Sequence, residues 1–269
     1  MKLDGGSKRK LSKRKDPEAA ATFFQKEGYP AGAVVEYLLS IANSNFEDWR
    51  RQNKEAPYQD FPFSLKKMSP SGALFDIQKL QSVSGGYIAG LSAQAVYEAA
   101  TQWAGQFDSE PHGRLTADPA STQALFAIDR GGAKPRKDIA KWSDVPGYVS
   151  YFFDVGFAVE DELPATPGAQ SQALRQAVLE AYAKTYSPLD DKDAWFQKIK
   201  DLCEPLGFCP DVKAYKAEPG RYHGSVSDLT AIIRLAITGR KNTPDLWSIM
   251  KLLGHERCIQ RMEAYAKLT

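Results

Sequence analysis

The sequence predicts a mainly α-helical protein, and three observations carry that expectation. Asp-Pro and Thr-Pro pairs repeatedly open segments that a glycine closes, the usual asymmetry of helix starts and stops. Between those marks, apolar residues recur three and four positions apart. Strict apolar/polar alternation is scarce, with strand-like pieces only around residues 58–65 and 85–88.

Each segment follows from that grammar. Asp16-Pro17 opens a helix that Gly28 ends. Pro30 starts a second, with Val34, Leu38 and Ile41 on its apolar face and Tyr37 beside them. Ser92 caps a third, in which Val96, Ala100, Trp103 and Phe107 fall at helical spacing. Asp118-Pro119 opens the next, closed by Gly131. Leu174, Val178, Ala181 and Tyr182 form one stripe; Trp195, Ile199 and Leu202 form another, introduced by Asp190-Asp191-Lys192-Asp193 and stopped by Gly207. Ser227 is the expected cap of a helix carrying Leu229, Ile232, Ile233 and Ala236 and ending at Gly239. Thr243-Pro244 is expected to start the next, with Leu246, Ile249, Met250 and Leu253, before Gly254 and a last helix with Ile259 and Met262. The acidic, turn-rich stretch 160–168 reads as a linker between bundles, and Gly85-Gly86 as a weaker boundary. No internal repeat has a fixed period.

Composition narrows the function classes. Of 269 residues, 43% are hydrophobic and 25% charged, as in ordinary folded proteins. No apolar run is long enough for a membrane span, and the N-terminus lacks the apolar core of a secretory signal. Cys203, Cys209 and Cys258 are too few, and odd in number, for a disulfide framework, which points to the cytoplasm. Net charge is only +2, yet residues 1–15 carry seven lysines and arginines against Asp4 alone, a local +6 that leaves the rest at −4. Any polyanion is therefore bound through patches rather than over a uniformly basic surface.

The densest patch is Lys8-Arg9-Lys10-Leu11-Ser12-Lys13-Arg14-Lys15, after a Gly5-Gly6-Ser7 turn and directly before a helix start. On charge alone it reads as a solvated tail or a localisation signal. Its internal order reads instead as a flexible loop of mobile ammonium groups, suited to transient contact with a polyphosphate. Arg50, Arg51 and Lys54, then Lys66-Lys67, then Arg130, Lys134, Arg136 and Lys137 are further basic groups, each taken singly more in keeping with solvated charge than with contact. Cys203, Cys209 and His223 do not have zinc spacing, so no metal site is expected and buried thiols are. His112, His223 and His255 have no nucleophile arranged beside them in sequence.

Lys10-Leu11-Ser12-Lys13-Arg14 resembles the KMSKS signature of class I aminoacyl-tRNA synthetases, in the KLSKR form typical of glutamyl-tRNA synthetases. The resemblance continues in family order through Gly28-Tyr29-Pro30 and Val35-Glu36-Tyr37-Leu38-Leu39, then Phe75-Asp76-Ile77-Gln78-Lys79-Leu80. It ends with Arg234-Leu235-Ala236-Ile237-Thr238-Gly239, Thr243-Pro244-Asp245-Leu246 and Leu252-Leu253-Gly254-His255-Glu256-Arg257. Val83 and Ser84 stand where the family usually has Trp and Asn, and His255 where Lys is common.

The resemblance implies a stem-contact region with the signature loop over 1–88 and two anticodon-binding helical bundles, over 89–165 and 166–269. It assigns ATP to Lys13, with Lys10 and Ser12 in support, and tRNA contact to Arg136, Arg234, Thr243, Pro244 and Leu246. It implies a parent glutamate–tRNA ligase using ATP with Mg and acting on tRNA-Glu, with tRNA-Gln left open. Only nine residues precede Lys10 and no HIGH-type tetrapeptide occurs, so the catalytic nucleotide-binding domain is expected to be absent. Without that wall nothing positions the reacting groups. This chain alone is thus expected to be a monomer that binds tRNA, lacks catalytic activity and needs no cofactor. The alternative readings are a free-standing RNA-binding module built from a synthetase appendix and a plain helical interaction protein.

Overall fold

The structure is a computed structural model that describes residues 1–4, 7–68 and 72–268. Helices dominate. Among the described residues the only strands are β1 (Lys2–Asp4) and β2 (Ser7–Arg9), an antiparallel pair with Leu3 opposite Lys8. Gly5 and Gly6, expected in a turn, lie outside the described residues. The chain divides into two compact units, Met1–Tyr148 and Val149–Thr269. No helix among the described residues is long and apolar enough to cross a membrane.

The first unit holds α1 (Ala21–Glu27), α2 (Ala31–Ala42), α3 (Phe46–Gln52), α4 (Ile77–Ala89), α5 (Ala93–Phe107), α6 (Ser109–Ala117) and α7 (Pro119–Ala127), then α8 (Val145–Val149) at its end. Its apolar cluster at the N-terminal side is Tyr29, Tyr37, Phe75 and Leu80, with Leu11, Phe23, Phe24 and Val83 packed against it. The Phe75-Asp76 pair acts twice. Phe75 meets Tyr37 edge-on at 5.5 Å, while the Asp76 carboxylate accepts from the Gln78 and Lys79 N–H groups and so caps α4. Ser92 and Asp118 cap α5 and α7 in the same way, as their sequence positions predict.

Several expectations fail here for identifiable reasons. The stretch 58–65 is irregular between two short 3-10 turns, Tyr58–Asp60 and Leu65–Lys67, and 85–88 lie inside α4. Gly85 and Ser84 belong to a helix because another segment crosses there: a Cβ on Gly85 would sit 3.3 Å from the Lys137 carbonyl oxygen, and the Ser84 hydroxyl donates to the Ala140 carbonyl. On α2 the buried residues are Ala33 and Tyr37, and Leu38 faces out, 47% exposed. On α5 the inner row is Val96, Ala100 and Ala104, which leaves Phe107 exposed.

The second unit is built around α13 (Val226–Thr238), which is buried on nearly all sides. Around it lie α9 (Pro167–Gln170), α10 (Gln172–Thr185), α11 (Lys192–Asp201), α12 (Val212–Ala217), α14 (Leu246–Leu253) and α15 (His255–Leu268). The start of α13 is at Ser225, one residue before the helix, rather than Ser227. Ser225 donates both its N–H and its hydroxyl to Asp228, whereas Ser227 is already helical and exposed. Likewise α14 is capped by Asp245, which accepts from the Ser248 N–H at 3.0 Å, so Thr243-Pro244 precedes the cap instead of forming it.

Gly239 ends α13 with φ +69°, and a Cβ there would lie 2.1 Å from the Ala158 carbonyl oxygen. Both the dihedral and the contact demand glycine. The approaching segment belongs to the acidic stretch, whose Glu160 and Asp161 N–H groups donate to the Gly239 carbonyl at 2.8 and 3.1 Å. Residues 160–168 lie within the second unit.

Candidate nucleic-acid interface

The basic loop follows β2 directly. Rather than hanging free, it is fastened at three points. Leu11 packs on the Tyr29–Tyr37 cluster. Asp16, its side chain 1% exposed, accepts from Arg9 Nη1 at 2.6 Å, Arg9 Nη2 at 2.8 Å and the Ser12 N–H at 2.8 Å. The Ser12 carbonyl in turn accepts from the N–H groups of Lys15 and Asp16. The Arg9 hydrogen bonds first, and the Ser12 N–H next, hold the Asp16 carboxyl well below the usual carboxylate range. Lys10, Lys13, Arg14 and Lys15 are exposed and, among the described residues, have no ion-pair partner. That gives four cations on a fixed backbone, a favourable arrangement for phosphate oxygens.

The basic groups of 130–137 divide by role. Arg130 closes the C-terminus of α4. Its Nη1 donates to the Ile88 and Leu91 carbonyls at 2.7 and 3.1 Å, and its Nε to Phe126. Burial lowers its pKa. Arg136 sits in a cleft with Ile88, Ile128, Pro135, Ile139 and Tyr148 in its walls, and its guanidinium engages Asp138. Asp129, in the left-handed region at φ 56°, lines the same cleft. Lys134 and Lys137 are exposed. Elsewhere in this unit Arg50 is internal: it pairs with Glu36 at 2.7 Å, donates to the Asn53 and Ala56 carbonyls and lies over the Trp49 ring.

In the second unit Arg234, Thr243, Pro244 and Leu246 meet at the turn between α13 and α14. Arg234 Nη1 donates to the Thr243 hydroxyl and, at 3.1 Å, to the Pro244 carbonyl. Thr243 is buried, and Leu246 is a core residue, 1% exposed. Arg240 and Lys241 extend from the same turn. Arg240 grips Glu160 with Nε at 3.0 Å and Nη2 at 2.9 Å, while Lys241 is exposed. Arg136 belongs to the other unit.

Sequence reasoning takes Asp16 only as a helix cap, whereas its carboxylate caps no helix and binds Arg9 and Ser12, and it misses Asp138 and Arg261. The last is 6% exposed and ties three segments together: Nη1 reaches the Tyr151 and Ile237 carbonyls at 2.6 and 2.7 Å, and Nη2 reaches Asp154 at 2.8 Å. One signal was present. Arg261 sits in the apolar row Cys258, Met262, Tyr265, where a solvated charge is out of place. The three cysteines are unpaired and buried, and the described residues contain no cluster that could hold a metal ion.

A family described as an anticodon binding domain matches residues 224–266, from the start of α13 almost to the end of α15. A glutamate–tRNA ligase of Clostridium perfringens is 45% identical over 272 residues, covering 100% of this chain and 49% of the relative. Those of Clostridium beijerinckii and Sorangium cellulosum are 41% and 39% identical, covering 49% and 45% of their own lengths. The chain is homologous throughout to the C-terminal half of glutamate–tRNA ligases.

The chain thus spans about half the length of the curated relatives it matches. A solved glutamate–tRNA ligase from Elizabethkingia meningosepticum, in complex with its amino acid, superposes with a TM-score of 0.64 over 99% of this chain and 50% of that one. At 16% identity this likeness bears on the fold alone. In this chain the Phe75–Leu80 element supplies a helix start and core packing, and Ser84 takes a buried hydrogen-bonding position in α4.

Proposed function

We propose that this chain is the tRNA-recognition part of a glutamate–tRNA ligase. The parent reaction joins L-glutamate to tRNA-Glu with ATP, releasing AMP and pyrophosphate. The observation that carries the reading is homology to these ligases along the whole chain, with the anticodon-binding match on α13 to α15. In this reading Lys13, supported by Lys10 and Ser12, contacts the phosphates of ATP bound with Mg in the complete enzyme. The Arg136 cleft and Arg234 face anticodon bases, which single-stranded loops present splayed for stacking and edge contacts, while the buried Thr243, Pro244 and Leu246 shape the turn that holds Arg234. The chain itself holds no cofactor. The reading extends to tRNA-Glu as the RNA, a monomer and the cytoplasm, where three buried, unpaired thiols fit a reducing compartment.

The proposal also makes the chain inactive by itself, since it matches only about half of the ligases' length, without their catalytic domain. Titration with tRNA-Glu over a range of salt is the test. About four phosphate contacts give a log–log slope of roughly −3 to −4. Measurable binding with no salt dependence removes the phosphate-patch reading. Glutamate-dependent ATP–pyrophosphate exchange by the pure chain overturns its inactivity.

A further inference from the structure

We infer that Asp16 is a positioning residue, one that fixes the backbone of the basic loop so that Lys10, Lys13, Arg14 and Lys15 converge on a single polyphosphate. This rests on the anion-binding reading of the loop and deepens it. On charge alone a carboxylate is the wrong residue here, because it subtracts from the positive potential the loop exists to present. The geometry accounts for it. The carboxylate gathers both prongs of Arg9, at the end of β2, and the N–H of Ser12, in the middle of the loop. Lys2 Nζ stands 3.6 Å from its Oδ1. Leu11, between these two tethers, is held by the apolar cluster.

The loop is therefore fastened on both sides of Lys10, and again after Lys15 by the bonds to the Ser12 carbonyl. Asp16 consumes the charge of Arg9, which is already partly covered, and leaves the four outer cations unspent. Binding then requires less ordering of the loop than a free tail would, which is where preorganisation gains affinity.

The sign of one substitution separates positioning from electrostatics. Asp16→Asn makes the loop one unit more positive, so charge alone predicts tighter binding of tripolyphosphate to the 269-residue chain. Positioning predicts the reverse, a loss of about tenfold, the scale of a charged hydrogen bond. Arg9→Lys leaves the net charge unchanged, removes the fork, and is expected to weaken binding in the same direction. Calorimetric titration at several salt concentrations provides a second readout: the salt slope falls in both variants because fewer cations meet the ligand. Circular dichroism selects conditions in which each variant is folded, and Arg9→Lys serves if Asp16→Asn does not fold. Equal or tighter binding by the folded variants, with Lys13→Ala weakened, overturns the positioning role and leaves the loop as an anion site. Tripolyphosphate binding that is absent, or unchanged by Lys10→Ala and Lys13→Ala, removes the loop reading and this inference with it.

Discussion

Arg136 and Asp138 hold each other in a two-pronged pair, with Nε 2.5 Å from Oδ2 and Nη2 3.2 Å from Oδ1. Two acceptors side by side in one plane are also what a nucleobase edge offers a guanidinium. Asp138 thus orients the fork and competes for it. A phosphate must displace a carboxylate before it can take the Nε–Nη2 edge of Arg136, whereas a correctly shaped base edge can gain Asp138 as an acceptor as well.

The expected outcome for Asp138→Asn is affinity that is kept or increased for every tRNA, with poorer discrimination between matched and anticodon-swapped tRNA. Arg136→Lys keeps the charge but not the fork, and should lose about 1–3 kcal/mol of that discrimination. Paired titrations of both variants against the two tRNAs measure it. Undiminished discrimination by Arg136→Lys would mean that the fork reads no base.

Much of the fold could be read from local chemistry, because caps and breakers act within a few residues. Ser92, Asp118 and Asp191 cap helices where the sequence places them, and Gly28 and Gly239 end theirs in the left-handed region, whereas the helix expected to stop at Gly207 ends at Asp201 and Gly207 closes a following 3-10 turn. What escaped depends on distant chain. Leu38 faces outward because Ala33 and Tyr37 take the inner face, and 85–88 look strand-like only until the crossing at Lys137 explains the glycines. At the candidate interface, residue type and motif order single out the loop cations and both arginines as candidates. The partners that orient them, Asp16 and Asp138, are ordinary acidic residues in sequence and acquire meaning only through hydrogen bonds.

Arg261 sets a stability prediction for the second unit. Arg261→Ala strands the buried carbonyls of Tyr151 and Ile237, while Asp154, 61% exposed, is re-solvated at little cost. The expected loss is about 2–4 kcal/mol, the range for two unpaired buried acceptors. Arg261→Lys should recover only part of it, since one ammonium cannot reproduce the fork that spans Tyr151, Ile237 and Asp154. Denaturant melts of the three proteins provide the comparison, and a loss below about 1 kcal/mol for Arg261→Ala contradicts the assignment.

The thiols give a prediction independent of RNA. Burial pushes the Cys203 and Cys258 thiols up to about 11, and Cys209 is 2% exposed. Because the thiolate is the reactive form, at pH 8 only about one in a thousand of the Cys203 and Cys258 side chains is ionised in the folded protein. A disulfide reagent is expected to find almost no thiol in the native chain and all three in denaturant. Rapid labelling of any of them under native conditions is incompatible with this packing.

Arg234 is the residue for which structure and proposed function compete most directly. Its Nη1 already serves the Thr243 hydroxyl and the Pro244 carbonyl, so it shapes the turn whether or not RNA is present. Arg234→Ala is therefore expected to lower stability by about 1 kcal/mol, since the Thr243 hydroxyl loses its donor while the Pro244 carbonyl still accepts from that hydroxyl at 3.1 Å. If the turn also presents the arginine to a base, the folded variant loses a further about 1–3 kcal/mol of affinity for tRNA with the matching anticodon. That second loss must shrink when the anticodon is swapped, because the specific partner is then already gone. Thr243→Val separates the two roles: it removes the hydroxyl acceptor and keeps the guanidinium, so it should loosen the turn with a smaller change in anticodon dependence. Lys54→Ala, which removes one exposed charge in the other unit, should weaken both tRNAs equally. Equal losses for both tRNAs in Arg234→Ala would leave the arginine as a tie between α13 and the turn, and the reading of bases would have to rest on Arg136.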